Sequence, residues 1–220
     1  MENSKILALE NQKRFYVVME ILVVFLLIPL SFAFFVKASP LFLILAGGLF
    51  SFWLLKKDDT FDIKNLYKFP DDKFEYIRVL LQVFIFTVIL YLFMLNLLPD
   101  RMFYFLKKDF STWIIIVLMY GLLAVYPQEI LYRVLIFHRY GSIFKNNRVV
   151  VHLSALLFAF GHILYLHPVS ILLSLVGGYL FSITYIRSGS IILVYIEHFL
   201  YGFLLYTIGL GEYFYSGFLR

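Results

Sequence analysis

The sequence contains no cysteine, which excludes disulfides, thiolate nucleophiles and cysteine-ligated metal centres. Charge is scarce too, because only 15% of the 220 residues are charged while 62% are hydrophobic. The chain has neither the His-Glu-x-x-His motif of zinc proteases nor the Gly-x-Ser-x-Gly motif of serine hydrolases. Its net charge of +5 is accompanied by no nucleic-acid-binding motif, so no nucleic-acid partner is expected.

What the chain does have is a series of apolar runs that approach the ~20 residues needed to cross a bilayer as a helix. They extend over residues 15–36, 41–55, 76–98, 111–137, 149–166, 169–186 and 190–208. The predicted fold is therefore all-α, a polytopic membrane bundle of about seven transmembrane helices in the lipid bilayer. The run 41–55 is short for a span, so we expect it to tilt, to thin the bilayer locally or to be re-entrant.

Lysine and arginine placement predicts a cytoplasmic N-terminus. The predicted cytoplasmic side carries Lys5, Lys13, Arg14, Lys56, Lys57, Lys64, Lys68, Lys73, Arg139, Lys145, Arg148 and Arg187. The opposite side carries the smaller set of Lys37, Arg101, Lys107, Lys108 and Arg220. A re-entrant second run would invert every later loop.

Ionisable residues inside the apolar runs are the first candidates for function, because a charge in a membrane helix costs a few kcal/mol. Glu129 and Arg133 lie four residues apart in the run 111–137, so on a helix they share one face and can pair. The alternative to a functional role is a structural one, in which Glu129 and Arg133 form a buried ion pair that fixes the register of the helix. Gln128, the residue before Glu129, can hydrogen-bond a carbonyl or water but cannot act as a base.

Two histidines recur in later apolar runs. His162 follows Ser154 and Phe158 at intervals of four, which places the three on one helix face. His198 precedes Gly202 by four residues and follows Glu197, which points to a different face. Glu197 is a candidate for a second buried ion pair, with Arg133 or Arg187. His138 and His152 flank a basic segment that we expect at the interface, in surface or headgroup contacts.

Three patterns occur in order on separate predicted spans: Glu129-x-x-x-Arg133, Phe158-x-x-x-His162 and His198-x-x-x-Gly202. Together they resemble the CPBP family of CAAX proteases and bacteriocin-processing proteins, which includes the Ras-converting CAAX endopeptidase. The resemblance divides the single membrane domain into N-terminal helices and loops over 1–110, a CPBP-like core over 111–208 and an aromatic interfacial tail over 209–220.

The resemblance implies an intramembrane endopeptidase in which Glu129 and His162 activate a water, His198 stabilises the oxyanion and Arg133 orients Glu129. Gln128 stands where the family has a first glutamate, usually given the role of base, and Gly202 stands where it has asparagine. Val134 also replaces a glycine common after the arginine. Losing one oxyanion donor typically costs ~10²–10³ in rate. Losing the base costs another ~10²–10⁴.

We therefore expect an enzyme that cleaves a membrane-associated peptide or protein near the membrane surface, with Gln128, Glu129, Arg133, His162 and His198 as candidate catalytic residues. A divalent metal such as zinc, bound by Glu129, His162 and His198, is an alternative way to activate the water. Two other functions stay open. One is a lapsed relative that binds membrane segments, and the other is a small proton-coupled transporter, which predicts inverted repeats that the sequence does not contain.

Overall fold

The computed structural model describes residues 12, 14–36, 38–144 and 146–214, and this part of the chain is helical with short connections and no strand. The all-α prediction is thereby confirmed. Five residues used to predict the topology, and the last six residues of the predicted tail, lie outside the described ranges. The five are Lys5, Lys13, Lys37, Lys145 and Arg220.

Seven main helices follow the predicted apolar runs closely. They are α1 Arg14–Phe35, α2 Pro40–Lys56, α3 Lys73–Leu97, α4 Phe110–Tyr140, α5 Asn147–Tyr165, α6 Pro168–Ser188 and α7 Ile191–Ile208. Six of these helices in the described residues are long and apolar enough to cross a membrane, and α2 is the exception with 17 residues. The chain is therefore a multi-pass integral membrane protein, and α2 is about 25 Å long against a hydrocarbon core of ~30 Å.

Helix α4 is the central element of the bundle. Asp109 caps its start by accepting a hydrogen bond from the Thr112 amide, and Val134, Leu135 and Ile136 are fully buried. Two wide π-helical segments, Tyr120–Val125 and Ile130–Tyr140, flank one ordinary helical turn that contains Pro127. Such segments concentrate at functional sites because they change which side chains share a face.

The same helix continues three residues beyond the predicted run 111–137. His138 therefore lies on α4 rather than in an interfacial connection, and its Nε2 atom is 3.1 Å from Asp58. His152, predicted to make surface or headgroup contacts, lies 2.9 Å from the Tyr179 hydroxyl. Hydrogen bonds from Thr60 and from His138 lower the pKa of Asp58 to about 2, so this carboxylate is ionised at neutral pH.

Small residues and hydroxyls bring α4, α5 and α6 together. The Ser154 hydroxyl donates to the Tyr132 carbonyl at 2.7 Å and accepts from the Ser182 hydroxyl at 3.0 Å. A Cβ atom on Gly178 would lie 2.9 Å from the Ala155 backbone, so glycine is required for this approach. Gly178 and Ser182 lie one turn apart on α6, and small residues of this kind let membrane helices pack closely. These contacts fix α5, and with it His162, against α4.

The short helix α2 also packs directly on α4. A Cβ atom on Gly48 would collide with the Cβ and Cα atoms of Pro127, whereas one on Gly47 would meet only a methyl group of Leu131. Gly48 therefore lets α2 lie against the turn of α4 that carries Gln128 and Glu129.

A buried carboxylate joins α3 to α6. Glu75, in the first turn of α3, pairs with Arg78 at 2.8 Å and with Arg187 at 2.9 Å. Arg187 is thus the partner of Glu75, not of Glu197. The Glu197 side chain is fully buried and forms no ion pair with the described residues.

Candidate active site

The site begins with the pair of charges on α4. Glu129 and Arg133 are both fully buried, and Arg133 Nε lies 3.2 Å from Glu129 Oε2. The Arg133 guanidinium also lies over the Phe158 ring at 4.4 Å and near the Phe181 ring at 5.2 Å. Aromatic faces attract a desolvated cation, so the carboxylate and two rings together hold this charge inside the bundle.

Helix α7 brings His198 to the same carboxylate. The His198 Nδ1 atom lies 2.6 Å from Glu129 Oε1, although 69 residues separate the two along the chain. The imidazole stacks on Phe181 with ring centroids 4.5 Å apart and meets the edge of Phe158 at 5.4 Å. With Nδ1 as the donor to the Glu129 carboxylate, Nε2 keeps a free lone pair.

The second histidine is held differently. His162 ends the α-helical part of α5, and its Nδ1 atom donates to the Phe158 carbonyl at 2.8 Å. Its Nε2 atom is therefore also a hydrogen-bond acceptor. Phe158 contacts both imidazoles, since its ring centroid is 4.7 Å from that of His162 and 5.4 Å from that of His198.

Two cavities meet at this point in the bundle. One of about 70 Å³ lies among α4–α7, and His198, His162, Gln128 and Tyr120 contribute to its wall. The other, of about 300 Å³, lies among α1, α2, α4 and α5 and has a largely apolar wall. Gln128, His162 and Tyr165 line both cavities, so these three side chains form the partition between them.

Glu129 and Arg133 line neither cavity among the described residues. The structure thus separates two neighbours in the sequence: Gln128 faces the cavities, and Glu129 lies behind His198. Glu129 is connected to the cavity wall through the imidazole of His198 and does not line the cavity itself. This differs from the expectation that Glu129 and His162 polarise water together while His198 acts only as a donor.

The donor arrangement does not fit a three-ligand metal site. No group of three His, Asp or Glu side chains in the described residues is placed to hold a metal ion. Glu129 Oε1 is hydrogen-bonded to His198 Nδ1, and His162 Nδ1 is hydrogen-bonded to the Phe158 carbonyl, so these atoms already have partners within the protein. The metal that Glu129, His162 and His198 were expected to bind stays a prediction.

Most aromatic residues at the site were not predicted from the sequence, and three of them are Tyr120, Tyr165 and Phe214. Tyr120 and Tyr165 line the first cavity, and so does Phe214 from the segment after α7, whose ring centroid is 5.8 Å from that of His162. Aromatic residues make up 20% of this chain, so nothing in the sequence distinguished these three. Phe214 belongs to the tail predicted to lie at the interface, yet it reaches the cavity.

The fold and the site define a multi-pass helical membrane protein with a buried Glu–Arg–His cluster beside an apolar cavity. Residues 110–204 match the family model described as Type II CAAX prenyl endopeptidase Rce1-like. The match confirms the CPBP resemblance, and this part of the chain is similar to membrane proteins of the CAAX-protease type. No curated protein and no solved structure matches the chain.

Proposed function

We propose that the chain is an intramembrane endopeptidase that hydrolyses a peptide bond of a membrane-associated peptide or protein, near the membrane surface. The observation that carries this proposal is the 2.6 Å contact between Glu129 Oε1 and His198 Nδ1 at the wall of a cavity. A buried carboxylate that fixes an imidazole in one tautomer makes the other ring nitrogen a general base.

The proposed reaction uses this base on water. His198 Nε2 takes a proton from a water whose oxygen attacks the peptide carbonyl carbon, and Glu129 stabilises the imidazolium that forms. The tetrahedral intermediate then expels the amine, and the imidazolium returns its proton to the leaving nitrogen. One peptide bond and one water are consumed, and one carboxylic acid and one amine are released.

The remaining polar side chains have supporting roles. His162 Nε2 accepts a hydrogen bond from the second proton of the water, which orients the water oxygen. The Gln128 amide, in the wall of both cavities, donates to the carbonyl oxygen as it becomes negative. Arg133 Nε, 3.2 Å from Glu129 Oε2, holds the Glu129 carboxylate in place beneath His198.

Cleavage of membrane-anchored peptides tests the proposal. The purified chain in proteoliposomes is presented with a panel of anchored peptides, with and without a lipid group, and products are identified by mass spectrometry. We expect cleavage of at least one peptide, lowered ~10²–10⁴-fold in His198→Ala. His152→Ala is the matched control, because His152 contacts Tyr179 at an exposed position. Parent-like cleavage by His198→Ala, or no cleavage by the parent, would refute the proposal.

Chelation tests the metal alternative in the same assay. Because the proposed mechanism needs no metal, we expect cleavage to survive a strong chelator unchanged. Loss of cleavage that added zinc restores would instead support a metal held by Glu129, His162 and His198.

A second candidate function is a lapsed relative that binds membrane segments in the same cavities. The observation that favours it is Gln128, because the cavity-facing position of the family's first glutamate holds a side chain without a titratable proton. Such a protein would bind an anchored peptide without cleaving it.

A further inference from the structure

Tyr120 occupies the space that a side chain on Gly202 would need. A Cβ atom built on Gly202 would overlap the hydroxyl oxygen, Cε1 and Cζ of Tyr120. The phenol of α4 therefore lies directly over Gly202 of α7, at the wall of the cavity that His198 and His162 also line. The glycine on one helix and the tyrosine on the other are sterically matched.

The hydroxyl of Tyr120 is the polar part of this contact. It donates to the His198 carbonyl at 3.2 Å, and the two rings meet edge to face with centroids 5.9 Å apart. Contacts with Tyr206 and Phe199, with centroids 5.5 and 6.4 Å away, hold the ring in place. The Tyr120 hydroxyl is thus an O–H donor held over Gly202. Gly202 lies one helical turn along α7 from His198, which we propose as the base.

A peptide carbonyl at 3.2 Å is a modest acceptor for this proton. Hydrogen bonds to an ionised acceptor are shorter and roughly twice as strong as neutral ones. When charge develops on a substrate oxygen in the cavity, rotation about the C–O bond of the phenol redirects the hydroxyl to it. A preorganised donor of this kind acts where charge appears in the transition state.

We infer that Tyr120 is an oxyanion donor of this site, supplying from α4 the polar group that position 202 of α7 lacks. The inference rests on the proposed function and adds a catalytic residue to it. It also explains Gly202, because any larger side chain there would displace the phenol. The two positions are expected to act as one unit in mutagenesis.

Removal of the hydroxyl alone is the first test. Tyr120→Phe retains the ring and its packing, so we expect kcat to fall ~10²-fold with little change in KM. Tyr126→Phe is the matched control on the same helix, because the Tyr126 hydroxyl donates to the Leu66 carbonyl at 2.7 Å. A Tyr120→Phe variant with parental kcat would overturn the inference, and so would one changed only in KM.

Exchange of the two positions is the second test. Gly202→Asn alone is expected to lose activity, because the new side chain meets the Tyr120 ring. Tyr120→Ala is also expected to be slow. The double variant Tyr120→Ala, Gly202→Asn is predicted to cleave at least tenfold faster than either single variant, since it moves the donor to α7. A double variant as slow as the slower single one would contradict this.

The outcomes separate the inference from the proposed function. If the parent and Tyr126→Phe cleave and Tyr120→Phe cleaves equally fast, the Tyr120 inference fails while the peptidase proposal stands. If the parent cleaves none of the peptides, both fail. If the parent and Tyr126→Phe cleave and Tyr120→Phe has a lower kcat, the inference is supported, and the ratio of the two kcat values measures the contribution of the Tyr120 hydroxyl.

Discussion

At the scale of single residues, the neighbours Gln128 and Glu129 have opposite surroundings. Gln128 lies in the wall of both cavities, whereas Glu129 is fully buried between Arg133 and His198. The sequence identified both side chains as candidates but could not show which of them faces a cavity. Two adjacent helical residues point about 100° apart, and only packing decides which of them lines the cavity.

Replacing Gln128 by glutamate tests what this position contributes. With His198 as the base, the added carboxylate has no proton-transfer task, and the amide that donates to the oxyanion is lost. We therefore expect Gln128→Glu to cleave ~10²-fold more slowly than the parent. Cleavage rates of Gln128→Glu and the parent on the same peptide make the comparison. An inactive parent that becomes active in Gln128→Glu would identify a lapsed protease.

At the scale of elements, the helices were predictable and their faces were not. Apolar runs located all seven main helices to within a few residues, because length and hydropathy dominate in a bilayer. The π-helical segments of α4 have no such signal. They change the phase of the helix between Tyr120 and Gln128, so no regular periodicity could predict that both side chains face one cavity.

Two neighbouring glycines on α2 offer a prediction about how this element supports α4. Gly48→Ala places a methyl group against the Pro127 backbone, and overpacking of this kind costs ~1–3 kcal/mol. Gly47→Ala is the control, because a Leu131 methyl group at 3.0 Å can move aside. Thermal unfolding in detergent should show a lower Tm for Gly48→Ala than for Gly47→Ala. Equal Tm values would mean that α2 does not pack on Pro127 as described.

At the scale of the whole molecule, apolar side chains cover much of the outer surface, including Leu80, Phe84 and Ile89 of α3. Ion pairs such as Glu75 with Arg187 and Arg101 with Glu212 lie near helix ends. The membrane location follows from this distribution and from helix length, which is why composition alone predicted it. The ordered motifs predicted the family. The aromatic partners of His198 and His162 depend on tertiary packing, so the sequence could not identify them.

Membrane orientation is a prediction of the same scale. The excess of lysine and arginine on one set of loops predicts a cytoplasmic N-terminus. Lys64 lies between α2 and α3, and Lys107 lies between α3 and α4. Reporter fusions at these two positions should therefore report opposite sides, with Lys64 in the cytoplasm. The same side for both would mean that α3 does not cross the membrane.

The central claim is that Glu129 makes His198 the base that activates water. The cleavage rate of Glu129→Gln measures this most directly, because an amide at this place favours the wrong imidazole tautomer. Gel filtration and Tm check that the variant is folded. A double variant, Glu129→Gln with Arg133→Met, removes the arginine charge that the single variant leaves without a partner. We predict that the single and the double variant both cleave ~10⁴-fold more slowly than the parent. A folded Glu129→Gln variant that cleaves within tenfold of the parental rate would contradict the account.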